Sequence, residues 1–197
     1  MLAEWAVECG ADDPVLVVPW SSDQPGGPRF VDLRVNPYDL DQIPEAEAHP
    51  PLLQALRALN AARSPVFTAK CDAWPMDEDE LDAARLNLGL SAAESSHGFM
   101  SYIDLVWRER TIFVSFHQQE QRLHRLVRLL DQVEHPASVV EAILRPALVD
   151  LTGPQEGFAV SLYLKALGTD SSEACEQWGR ALEAVVTVLR SKELSAG

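Results

Sequence analysis

Between Phe99 and Glu134 the spacing of apolar residues changes from one period to another. From Tyr102 to His117 apolar and polar positions alternate, and a reversal at Glu109–Arg110 sets Ile103 opposite Phe116, Leu105 opposite Val114 and Trp107 opposite Ile112. The other face then carries Tyr102 with His117, Asp104 with Ser115, Val106 with Phe113 and Arg108 with Thr111. A half-buried antiparallel hairpin has this pattern, because side chains on a strand point alternately to its two faces. Leu123, Leu126, Val127, Leu130 and Val133 then mark one side of a helix, so the hairpin is expected to feed a helix that lies back on it.

The same reading along the rest of the chain gives shorter elements. Trp5, Val7 and Cys9 alternate with polar residues, and Val15–Val18 follows a turn-rich GADDP, which predicts a first hairpin. Phe30–Val35 reads as a strand, and the acidic, proline-rich 36–51 as an irregular excursion. Pro50–Pro51 opens a helix through Arg63 with Leu52, Leu53, Leu56 and Leu59 on one side, and Val66–Ala73 follows as a strand. Asp77 and Glu80 have capping-box spacing before a helix that Gly89 closes. Val139–Leu144 fits helix or strand. Ala147–Leu151 pairs with Phe158–Lys165 across TGPQEG, with Val149 opposite Val160. Asp170 and Glu173 repeat the capping-box spacing ahead of a final helix, Ser171 to about Arg190.

These elements predict an α+β fold, mainly an antiparallel sheet with helices packed on one face. The stretches 66–84 and 159–177 share a strand, a turn, an Asp-x-x-Glu cap and a helix. Two readings therefore stay open: a single domain over 1–197, or two pseudo-repeated ferredoxin-like halves, 1–98 and 99–197.

Charge narrows the partners. The net charge is −14, most of it in the first half, which disfavours nucleic-acid backbones and anionic membrane surfaces. A protein partner or a small molecule remains, with the oligomeric state open. Cys9, Cys71 and Cys175 have no paired spacing, as expected of free thiols in a reducing compartment. The apolar start is interrupted by Glu4 and Glu8, and no long apolar run occurs, so a cytoplasmic protein without signal peptide or membrane span is expected. No complete cofactor motif is present, and no cofactor is expected.

Three constellations could carry chemistry. On the polar face of the expected hairpin, Tyr102, Asp104, Ser115 and His117 combine acid, hydroxyl and imidazole, the parts of a hydrolase with Ser115 as nucleophile, His117 as base and Asp104 as orienter. That strand lacks a nucleophile elbow or glycine-rich oxyanion hole, so the set serves equally as an ordinary polar sheet face. His117, Glu120 and His124 could ligate a transition metal from one helix side, although their spacing matches no established zinc pattern. Arg122, Arg125 and Arg128, near Arg108 and Arg110, could grip a carboxylate or phosphate, or pair with the acidic first half. The expectation is a non-catalytic binding or protein-interaction module. The alternative is a small-ligand receptor or hydrolase using the 99–117 polar face. A pocket over that face would favour the alternative.

Overall fold

A computed structural model describes residues 1–24 and 26–195. Its strands are β1 (Leu2–Val7), β2 (Leu16–Val18), β3 (Val66–Pro75), β4 (His97–Trp107), β5 (Ser138–Asp150) and β6 (Pro154–Gly168). Its helices are α1 (Pro44–Ala48), α2 (Pro50–Asn60), α3 (Glu78–Leu88), α4 (Arg110–Phe113), α5 (Phe116–Leu130), α6 (Ser171–Leu189) and α7 (Lys192–Ser195), with a 3₁₀ turn at Asp39–Gln42. The fold is α+β. Among the described residues no helix is long and apolar enough to cross a membrane.

One sheet runs in the order β1-β5-β6-β4-β3, with β2 continuing the β1 edge along the far end of β5. The β3–β4, β4–β6 and β5–β6 pairs are antiparallel, while β1 and β2 both lie parallel to β5. β4, α5 and β5 form a split β-α-β unit, two parallel strands with β6 between them. The strands of residues 1–98 build no half-sheet of their own. They are shared between the two edges, β1 and β2 beside β5 and β3 beside β4. The sheet order does not confirm two ferredoxin-like halves side by side.

Alternation decides which face is buried. Ile103, Leu105, Trp107, Val160, Leu162, Leu164, Val140, Ala142 and Leu144 point inward, where the apolar stripes of α2, α5 and α6 cover them. Trp178 of α6 is fully buried there and donates its indole N–H to Ser101 Oγ at 2.8 Å. The sequence rules for helix ends hold locally. Asp77 accepts from the Glu80 N–H while Glu80 reaches back to the Asp77 N–H, and Gly89 takes φ 65° at the other end. α3 and α4 depart from the one-face arrangement. Leu81 and Ala84 of α3 cluster with Leu167 on the outer face, and Phe113 of α4 joins an outer cluster with Val106, Phe67 and Ala159.

The expected 99–117 hairpin does not form. β4 pairs with β3 and β6 instead, and the chain after Trp107 turns into α4 and α5. Ile112 and Phe116 satisfy helical spacing as well as alternation, and the decisive residue is Val114. The hairpin would bury it, whereas it is 46% exposed. β1 and β2 likewise do not pair with each other, because both find their partner in β5. Phe30–Val35 contains no strand. The β5–β6 hairpin is present, but its turn spans Leu151–Gly153 and Val160 lies opposite Leu144 instead of Val149. The shorter turn reassigns TGPQEG largely to β6 and settles 138–150 as one long strand.

Candidate functional site

Two of the sequence candidates, Tyr102 and Asp104, stand on the outer face of β4 at the centre of the sheet. β6 places Tyr163 opposite Tyr102 and Ser161 opposite Asp104. Ser161 donates its hydroxyl to Asp104 Oδ1 at 2.5 Å, and Arg145 of β5 donates from Nη1 to Ser161 Oγ at 3.3 Å. Glu8, just beyond β1, receives both Nε and Nη2 of Arg145 at 2.9 and 2.8 Å. A polar chain thus runs across four strand positions, Glu8–Arg145–Ser161–Asp104. Asp104 is only 6% exposed.

On the other side of Asp104, β3 carries a bulge. Thr68 pairs with Leu105 and Cys71 with Ile103, so Ala69 and Lys70 together face the single residue Asp104. A bulge adds twist and re-aims a side chain, and here it sets Lys70 near enough for its charge to act on Asp104. The Lys70 ammonium also sits 5.0 Å from the centroid of the Trp20 ring. Trp20 is fixed in turn by its indole N–H, which donates to Ala69 O at 2.8 Å. The loop that carries Trp20, together with Val31, Leu33, Ile43 and Glu45, walls off a cleft of about 260 Å³ against Lys70, Cys71, Asp72 and Tyr102.

The cleft lining carries charge of both signs, Glu45 and Asp72 with Arg29 and Lys70, and Asp104 stands next to it. Burial pushes the Asp104 carboxyl above its ordinary value, against the Ser161 hydrogen bond and the charges of Lys70 and Arg145, which pull it down. Burial raises the Tyr102 phenol, and the charges of Asp104 and Asp72 raise it further. The Cys71 thiol is pushed up to about 12 by burial and then by Glu45, Asp72 and Asp104. A thiol held this far up is protonated and a poor nucleophile. The histidines lie elsewhere. His49 meets Phe99 and Trp178 edge-to-face in the inner layer, His124 meets Trp5 edge-to-face, and His97 bonds Ser96. Ser161 therefore has the Asp104 carboxyl and the Arg145 guanidinium beside it, and among the described residues no histidine is hydrogen-bonded to it.

The other candidates separate. Ser115 caps α5, its hydroxyl accepting from the Gln118 N–H, and His117 begins that helix on the inner layer, on the opposite side of the sheet from the Asp104 cluster. His117 meets Glu120 at 3.5 Å and Gln121 at 2.8 Å, while His124 turns to Trp5. Among the described residues no group of three His, Cys, Asp or Glu side chains could hold a metal ion. Arg122 donates to Leu194 O and Arg125 to Glu193 O, so they cap α7 instead of pairing with the acidic first half. Arg122 also stacks on Trp107, and Arg128 lies exposed farther along α5.

Sequence reasoning missed Lys70, Ser161, Tyr163, Arg145 and Trp20. A signal for two of them was present, since Ser161 and Tyr163 alternate with Val160, Leu162 and Leu164 as the polar face of β6. Lys70 depends on the bulge and Arg145 on the β5–β6 register, neither of which the pattern defines. Comparison with protein-family models, with curated protein sequences and with solved structures gives no significant match for this chain.

Proposed function

We propose that the protein is a non-catalytic binding module that takes a small amine-bearing molecule in the cleft at the β3 bulge. The observation that carries this reading is the pair of carboxylates, Glu45 and Asp72, that line the open space walled by Trp20 and Tyr102, where Arg29 and Lys70 also stand. A positive group there gains from the carboxylate field and from aromatic faces at once. Lys70, 5.0 Å from the Trp20 ring centroid and acting on Asp104 through its charge, supports the reading from within the chain. The free cysteines suit a reducing compartment such as the cytoplasm.

The Trp20 indole N–H, bonded to Ala69 O, is the reporter to follow in a ¹H–¹⁵N titration. Butylamine and agmatine are expected to shift it saturably at roughly millimolar concentration, and Asp72→Asn to weaken binding about tenfold, with the neutral amide counterparts inert. Equal shifts from amines and amides would remove the reading. A silent indole would instead favour a protein partner, for which Val7, Val15 and Val17, exposed along the β1–β2 edge, are the supporting observation.

A further inference from the structure

At the end of the sheet where β4 leaves and β6 enters, a second cavity of about 210 Å³ has a different character. Three arginines line it, Arg34, Arg108 and Arg110, against the apolar walls of Phe67, Phe113 and Leu151. No aspartate or glutamate is part of the lining, in a chain where acids outnumber bases 30 to 16. A chance surface of this protein would show the opposite bias.

Arg34 and Arg108 are held in place, and the charge of the three arginines is only partly met. Asp32 binds Arg34 through two bonds, Nε at 2.8 Å and Nη2 at 2.7 Å, while the Arg34 guanidinium lies 4.4 Å over the Phe67 ring. Arg108 is fixed by two backbone carbonyls, Nε to Val66 O at 3.0 Å and Nη2 to Asn60 O at 2.9 Å. Carbonyls orient a guanidinium without cancelling its charge. Among the described residues neither Arg108 nor Arg110 has a carboxylate within ion-pair distance. The neighbouring Glu109 accepts from the Thr111 hydroxyl at 2.6 Å. Burial and the charge of Arg34 disfavour the protonated form of Arg108, and the charge of Asp32 offsets them only in part; a bound anion would relieve the remainder.

We infer that this cavity binds a small organic anion, a carboxylate carried on an aryl or branched-alkyl body, with the head group between Arg108 and Arg110 and the body against Phe67, Phe113 and Leu151. Planar guanidinium forks match a carboxylate in two-point geometry, and the apolar walls offer contact to its hydrocarbon body. The cavity is too small for a nucleotide-sized ligand, since common drug-sized sites start at about 300 Å³. The site is distinct from the amine cleft, which includes the carboxylates Glu45 and Asp72 and has different walls, so either can fail alone.

The test is a ¹H–¹⁵N titration of the full chain with phenylacetate, phenylacetamide and inorganic phosphate. Phenylacetate should shift the amides of 108–110 and 151–155 saturably at low millimolar concentration, with phenylacetamide and phosphate each at least about fivefold weaker. Arg110→Gln changes a side chain exposed to solvent, so the fold should persist, and it should weaken phenylacetate about fivefold. Equal binding of phenylacetamide would overturn the anion requirement, and equal binding of phosphate the apolar body. An unchanged affinity in Arg110→Gln, or no shift of these amides with phenylacetate, would overturn the site.

Discussion

Asp104 is a carboxyl kept from water in a fold that gives it one hydroxyl donor and two cations at a distance. Because its folded-state value is raised above the unfolded one, the native state holds the proton more tightly than the unfolded chain does. Its contribution to stability is then fully present at acid pH and is lost as pH rises through the raised value. Asp104→Asn keeps the acceptor for Ser161 and removes the charge. It should therefore be more stable than the parent at about pH 7, with the gap closing toward about pH 4, in urea unfolding followed at several pH values. A variant less stable at neutral pH would mean that attraction to Lys70 and Arg145 outweighs desolvation. Part of this was legible beforehand. Asp104 and Tyr102 were marked by alternation on a polar face, but their partners came from β6 and from a bulge in β3, whereas Ser115 and His117 belong to a helix start. A nearby reversal is what a pattern suggests most readily, and here the strand's true neighbours are far along the chain.

At the scale of elements, the helices were the most legible. Their caps and stripes are local, so Asp77, Gly89 and Asp170 state their ends in a few residues. Strand partners are not local. Ile112 and Phe116 fit both periods, and only the exposure of Val114 decides between them. One contact shows how a helix end can define a strand edge. Asn60, at the end of α2, donates from Nδ2 to Leu56 O and Thr68 Oγ1, while its Oδ1 accepts the Thr68 N–H at 3.1 Å. This closes the edge of β3 immediately before the bulge that aims Lys70. Asn60→Ala leaves that buried N–H without its partner, and should cost about 2–4 kcal/mol in urea unfolding, at the upper end for a single buried polar residue. It should also weaken amine binding in the neighbouring cleft. A loss below about 1 kcal/mol would mean that another group or water replaces the amide.

The whole molecule is joined by its edges. Residues 1–98 supply β1 and β2 to one side of the sheet and β3 to the other, and α2 packs with α6 over the centre that the later residues build. Neither part encloses a core by itself. The split β-α-β unit without its flanking strands would expose the edges of β4 and β5, and β1 and β3 without it would have no partner. This interleaving predicts one cooperative transition, as for a single domain of this size. Tryptophans report on both parts, Trp5, Trp20 and Trp74 before residue 98 and Trp107 and Trp178 after it. Variants that retain only Trp74 or only Trp107 should each show the same midpoint by fluorescence as their own far-ultraviolet circular dichroism, within about 0.2 M urea, because strand β3 cannot leave β4 while the rest persists. A separate, earlier transition for Trp74 would mean that the first part is an independently melting unit docked on a self-sufficient second. The sheet order would then describe how two units meet, and the cleft at the bulge would open before the protein unfolds.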